Sequence, residues 1–122
     1  MIDYIEGWHF ASHHLRNGSP LPKVEDELPE LTGTTPCRPG MYHTSERAID
    51  ALEYAPGTMV ARVRVYQHLV SHGSPIDKWA GQHRLMLSDY VDASGALCDW
   101  SRWCARQVAH LWDCPQIGRA HV

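Results

Sequence analysis

Thr58-Met59-Val60-Ala61-Arg62-Val63-Arg64-Val65-Tyr66-Gln67-His68-Leu69-Val70 decides the fold class. Met59, Ala61, Val63 and Val65 alternate with Val60, Arg62, Arg64 and Tyr66. A period of two is the mark of a β-strand, here with one face in the core and the other partly wet. Asp3 to Ala11 repeats the pattern, with Tyr4, Glu6, Trp8 and Phe10 on one side and Ile5, Gly7, His9 and Ala11 on the other. Gly7 in such a strand implies a bulge or close approach of another backbone. Asp77 to Leu87 reads as a further strand, Lys78, Ala80, Gln82 and Arg84 alternating with Trp79, Gly81, His83 and Leu85, although its polarity pattern is poor.

Two helices complete the pattern. Ala48, Ile49, Leu52 and Ala55 recur at helical spacing, which predicts a short helix from Glu46 to Tyr54. Thr44 or Ser45 is its expected N-cap, and Pro56-Gly57 stops it. Leu97, Trp100, Cys104, Val108 and Leu111 define a longer helix that Asp92 would cap and that runs to about Trp112. Turn chemistry fills Asn17 to Pro20, Thr32 to Gly40 and Ser71 to Pro75. The expectation is an α+β protein, mostly antiparallel sheet, with a short central helix and a longer C-terminal one.

A chain of 122 residues suffices for one modest core. Hydrophobic residues make up 43% and charged residues 20%, as in ordinary globular proteins. The formal net charge of −3 argues against a general nucleic-acid surface, which needs a lysine and arginine excess. The segment Met1 to Gly7 holds Asp3 and Glu6 and no apolar run, so it does not read as a signal peptide. No stretch approaches the roughly 20 apolar residues of a membrane span. A cytoplasmic location follows, with the four cysteines free or metal-bound rather than paired.

Leu21 to Leu31 is acidic and proline-interrupted. Pro22 and Pro29 leave room for a solvated loop or one short edge strand. Its carboxylates, Glu25, Asp26, Glu27 and Glu30, are candidate contacts for a basic partner.

The chemistry-bearing residues centre on Cys37 and His43, joined across a turn with Pro39 and Gly40. Zinc favours thiolate and imidazole in tetrahedral geometry. His110 and Cys114 are one helical turn apart, so they share a face if the last helix reaches them. Together the four would make a Cys2His2 structural site, with His9 as the substitute ligand. The opposing reading has Cys37 as a buried turn cysteine and His110 as a helix-terminal histidine favoured by the dipole. Cys104 lies on the apolar stripe and reads as core, unlike Cys98. Cys37, His43 and Asp50 also form a conceivable nucleophile, base and orienting group, but no spacing demands it. Asp77-Lys78 with Arg84 is either a polar site or an ordinary loop ion pair. No phosphate loop, G-x-S-x-G elbow or H-E-x-x-H motif is present. Five tryptophans leave room for an exposed one of the kind that anchors protein interfaces, beside others in the core or at its rim.

Gly7-Trp8-His9-Phe10, Cys37-x-x-Gly40 followed by His43, Asp50-Ala51-Leu52-Glu53-Tyr54-Ala55-Pro56-Gly57, Asp77-Lys78 and Val108-Ala109-His110-Leu111-Trp112-Asp113 resemble an uncharacterised family of small phage and bacterial proteins. That family brings no established enzymatic activity. In class, size and acidity the chain also resembles metal-containing anti-CRISPR proteins directed at Cas9. The resemblance implies a zinc-containing inhibitor in the cytoplasm of an infected host, occupying a basic surface of a CRISPR effector nuclease and blocking nucleic-acid loading. The final Ile117-Gly118-Arg119-Ala120-His121-Val122 resembles the read-through of a sequencing-library adaptor. The expectation is one domain over residues 1–116, truncated at its C-terminus, and a non-native tail over 117–122.

Overall fold

The computed structural model describes residues 2–36, 38 and 40–111. The α+β expectation holds: antiparallel strands dominate, with a short central helix and a C-terminal one. Two compact units divide at residue 92/93.

The first unit is built on two sheets. In the larger, β3 (Met59–Tyr66) lies at the centre. It pairs antiparallel on one side with β1 (Tyr4–Ala11) and on the other with β6 (His83–Met86) and β7 (Val91–Asp92). The smaller sheet has the order β2 (Tyr42–Thr44), β5 (Lys78–Gly81), β4 (Val70–His72). β2 packs against β1 and β3, and β5 packs against β3.

Register assigns the faces. Ile5 lies opposite Val65, Gly7 opposite Val63 and His9 opposite Ala61, and on the other flank Met86 lies opposite Val63 and Arg84 opposite Val65. Directly paired residues share a face. The inward face therefore carries the core of Ala61, Val63, Val65 and Met86. The two alternating halves read from residues 3–11 and 59–66 are the two faces observed. On the outer face Arg64 donates to Glu6 Oε2 from Nε at 2.9 Å and Nη2 at 2.6 Å, while its guanidinium stacks on Tyr4. Arg62 stacks on Trp8 in the same way.

Two glycines permit the close approach of the sheets. A Cβ on Gly7 would lie 2.4 Å from the Ser45 carbonyl oxygen, because Trp8 and Ser45 exchange backbone hydrogen bonds there. A Cβ on Gly81 would lie 2.5 Å from Val65 Cγ1 and 2.8 Å from the Tyr66 carbonyl oxygen.

Several local expectations need correction. The strand read over 58–70 ends at Tyr66, because Gln67 and His68 both take left-handed φ angles of 65° and 53°. The chain then enters the second sheet as β4, so Ser71 is strand rather than turn. The single strand read over 77–87 is two strands in different sheets, parted at Gln82. The Gln82 backbone N–H donates to the carbonyls of both Tyr66 and Gln67, and its side-chain amide donates to Gly33. The two crossings from sheet to sheet are thereby tied together.

The short helix α1 (Ala48–Glu53) begins after Arg47 without a side-chain cap. Thr44 and Ser45 are otherwise engaged: the Thr44 hydroxyl donates to the Trp8 carbonyl, and the Ser45 backbone pairs with Trp8. With Ala93 at the N-cap position of the last helix, Asp92 is not its N-cap residue. It belongs to β7, and its carboxylate accepts from the Thr58 hydroxyl at 3.0 Å.

The second unit holds α2 (Ser94–Val108) and a 3-10 turn, Ala109–Leu111. No residue of α2 is buried, so Cys104 is half-exposed rather than core. Trp100 and Trp103 are 45% and 54% exposed. Among the described residues no helix is long and apolar enough to cross a membrane.

Candidate functional site

Four nitrogen-bearing side chains converge between the sheets. β1 places His9 on the inward face of the larger sheet, and β6 places Arg84 there. In the smaller sheet β2 sets His43 opposite Ala80, and β5 sets Lys78 on the face it shares with the fully buried Ala80. Arg84 is 4% exposed and Lys78 7%. Charged groups are seldom buried so deeply without an opposite charge, because desolvation costs several kcal/mol per ion. Here the neighbours are aromatic. The Arg84 guanidinium lies 4.9 Å from the centre of the Tyr42 ring, and Lys78 Nζ lies 4.0 Å from that of Tyr54. The Arg84 Nε has no hydrogen-bond partner among the described residues.

The electrostatics follow from this placement. Burial pushes the His43 pKa down to about 4, and the charges of Lys78, Arg84, Arg16 and His72 push the same way. His9 is held well below the usual imidazole range by burial first, then by Arg84, His43 and Arg16. Its Nδ1 shares a 2.6 Å hydrogen bond with the Tyr90 hydroxyl, which fixes the ring. Burial raises the Tyr90 and Tyr42 pKa values, with Arg84 opposing in both cases. Both imidazoles therefore favour the neutral form.

A neutral imidazole can ligate a metal, so the state of His9 and His43 suits that role. The surrounding positive field opposes a dication unless thiolate charge offsets it. Cys37 and Cys114 lie outside the described residues. His110 sits exposed in the 3-10 turn of the second unit. Among the described residues, no three His, Cys, Asp or Glu side chains gather where a metal could sit. A base with a pKa near 4 is also poorly matched to proton abstraction at neutral pH. Asp50, the third member of the conceivable catalytic set, is on α1 and pairs with Arg47 at 3.9 Å.

Asp77, Lys78 and Arg84 do not form an ion pair with one another. Asp77 accepts from the Tyr54 hydroxyl at 2.6 Å and shares a 2.9 Å hydrogen bond with His72 Nδ1. The Tyr54 bond, then the His72 bond, holds the Asp77 carboxyl below its ordinary value. A surface hollow of about 250 Å³ beside it is lined by Glu46, Arg47, Asp50, Ile76, Asp77 and Trp79.

The acidic segment has a definite place. Its backbone runs along the outer edge of β6: the Glu25 N–H donates to Met86, the Leu28 N–H to Arg84, the Leu31 N–H to Gln82, and the Met86 N–H to Asp26. It forms an irregular edge strap, with one isolated bridge between Glu27 and Leu85. Glu25, Asp26, Glu27 and Glu30 are all exposed. Asp26 accepts from the Lys23 backbone N–H, and Glu30 lies 3.4 Å from His83 Nε2.

Sequence reasoning found His9 and His43, and it named Lys78 and Arg84 with Asp77 as a polar site or a loop ion pair, but it did not find that the two cations are buried. A signal existed. Lys78 and Arg84 occupy alternate positions of a strand-like run with Ala80, and that polar-looking series is the buried one.

Fold and cluster together define a small α+β protein with two antiparallel sheets and a cation-rich interior. No family model, curated protein or solved structure matches this chain.

Proposed function

We propose that this protein acts by binding a protein partner with a basic surface, and that the strap at residues 25–30 is the contact. The observation that carries this reading is the strap itself. Four exposed carboxylates stand on a backbone pinned to β6 by hydrogen bonds of 2.9 Å. A charged surface held in one conformation loses little entropy on association and steers a basic partner toward it. The resemblance to anti-CRISPR proteins names the partner class as a Cas9-type effector, inhibited through blocked nucleic-acid loading. Zinc held by Cys37 and His43, with His110, Cys114 or His9, is the structural part of the same proposal.

Retention of a Cas9-type effector on the immobilised protein at micromolar concentration tests the reading, together with cleavage by that effector. The expected result is retention and inhibition, both weakened at least tenfold by Glu25→Lys with Glu27→Lys and by raised salt. Unretained effector with undiminished cleavage overturns it. Elemental analysis of untagged protein tests the metal: about one zinc per chain, lost in Cys37→Ser, is expected.

A further inference from the structure

The acidic strap leaves the cluster between the sheets unused. The chain carries 14 acidic against 11 basic residues, so counter-charge is abundant. Yet none of the ion pairs among the described residues includes Arg84 or Lys78. Among the described residues, the groups that favour the charged form of Arg84 are the phenols of Tyr90 and Tyr42. Phenol hydroxyls supply a dipole and no charge. The Tyr42 hydroxyl is already committed, donating to the Pro29 carbonyl at 2.6 Å. The Tyr90 hydroxyl is committed to His9.

An unpaired guanidinium in the interior is an expensive feature. Removing a buried donor's partner costs about 1–3 kcal/mol, and more when the donor is charged. Placing Lys78 near it raises the positive potential further, and the neutral imidazoles of His9 and His43 bring no counter-charge. Each of these groups is a hydrogen-bond donor or becomes one on protonation. The arrangement is costly when empty and favourable around negative charge. A guanidinium presents Nε and Nη as a fork that matches two oxygens of one oxyanion. His9, Tyr42, His43 and Tyr90 are half-exposed around the buried Arg84, so the cluster reaches the surface at its rim.

We propose that the cluster of Arg84 and Lys78, flanked by His9 and His43 between the two sheets, is a binding site for a small oxyanion of phosphate or carboxylate type. Arg84 offers it the guanidinium charge and donors. Lys78 adds a point charge. The Tyr42 ring holds the guanidinium plane. This ligand is separate from the protein partner of the strap, and neither proposal requires the other.

The test uses the full chain in a non-coordinating buffer at constant ionic strength, chloride being exchanged for inorganic phosphate or for malonate. Two quantities are read: the melting temperature, and the proton and nitrogen shifts of the Arg84 Nε–H group. Binding predicts a saturable rise in melting temperature and a saturable downfield movement of the Nε–H proton with the same midpoint. Arg84→Met weakens the binding about tenfold or more, as the loss of a charge-assisted bidentate contact should. Response to phosphate alone assigns a phosphoryl ligand, and response to malonate alone a dicarboxylate. If Arg84→Met does not fold, Lys78→Met and the wild-type Nε–H signal carry the test. An unmoved Nε–H signal overturns the proposal. So does a melting rise that never saturates or is equal in the variant.

Discussion

β6 carries opposite charge on two of its sides, and in opposite circumstances. Along its outer edge runs the strap with Glu25, Asp26, Glu27 and Glu30, exposed to water. On its inward face stands Arg84, almost wholly buried and without a carboxylate partner among the described residues. The two regions touch through one backbone, for the Leu28 N–H of the strap donates to the Arg84 carbonyl. Charge on the strap is solvated and costs the fold little, so it is free to act outward. Charge between the sheets is desolvated, and it adds to the burial that lowers the pKa values of His9 and His43. A count of charged residues does not distinguish these cases; placement does.

The most severe way to break the comparison is to part the sheets that enclose the cations. In Gly81→Ala the new methyl group would meet both the Val65 side chain and the Tyr66 carbonyl. A loss of about 3 kcal/mol is expected, because well-packed backbone and core have little room to yield. Urea unfolding measures it, and an unchanged midpoint would show that the sheets are less closely apposed than described.

Acid is the next lever. His43 has its pKa lowered from 6.5 to about 4, and His9 moves in the same direction. Between those values the unfolded chain binds the proton and the folded protein does not. Stability is therefore full above about pH 6.5, falls as pH drops toward 4, and levels off below that. A tenfold difference in proton affinity between the folded and unfolded chain is worth about 1.4 kcal/mol, so His43 contributes roughly 2 kcal/mol after allowance for its half-open position. Thermal melts across this range provide the measurement. In His43→Gln the slope between pH 6.5 and 4 should become shallower.

The smallest expected effect belongs to the strap. Glu25→Gln with Glu27→Gln should leave the midpoint of urea unfolding within about 0.5 kcal/mol of the parent, since both side chains are exposed. A larger loss would mean that these carboxylates hold the strap in place rather than face a partner.

The same contrast explains what was legible in the sequence. β1 and β3 were, because each alternates with a period of two and keeps its charged residues, Glu6 in β1 and Arg62 and Arg64 in β3, on one face. The approach of a second backbone at Gly7 was legible for the same reason. The break at Gln82 was not. Lys78 and Arg84 stand where a core strand would carry apolar residues, so the run looked like a poor amphipathic strand rather than two strands serving two sheets. The turn after Tyr66 was hidden because Gln67 and His68 are not residues that announce left-handed backbone. The caps were misread because Thr44 and Ser45, good local caps, are drawn into the pairing with Trp8, and Asp92 ends in β7, one residue before the N-cap position. His9 and His43 were singled out by residue type, and the positive surroundings that set their chemistry came only with the fold.

The central claim is that the two sheets enclose a desolvated, positively charged cluster. Nuclear magnetic resonance titration of the imidazole protons in phosphate-free buffer, assigned by His9→Gln and His43→Gln, tests it most directly. The predicted result is a His43 midpoint near pH 4 and a His9 midpoint well below 6.5. Midpoints near 6.5 for both would contradict it, because two imidazoles that titrate as if in water cannot lie beside a buried Arg84 and Lys78.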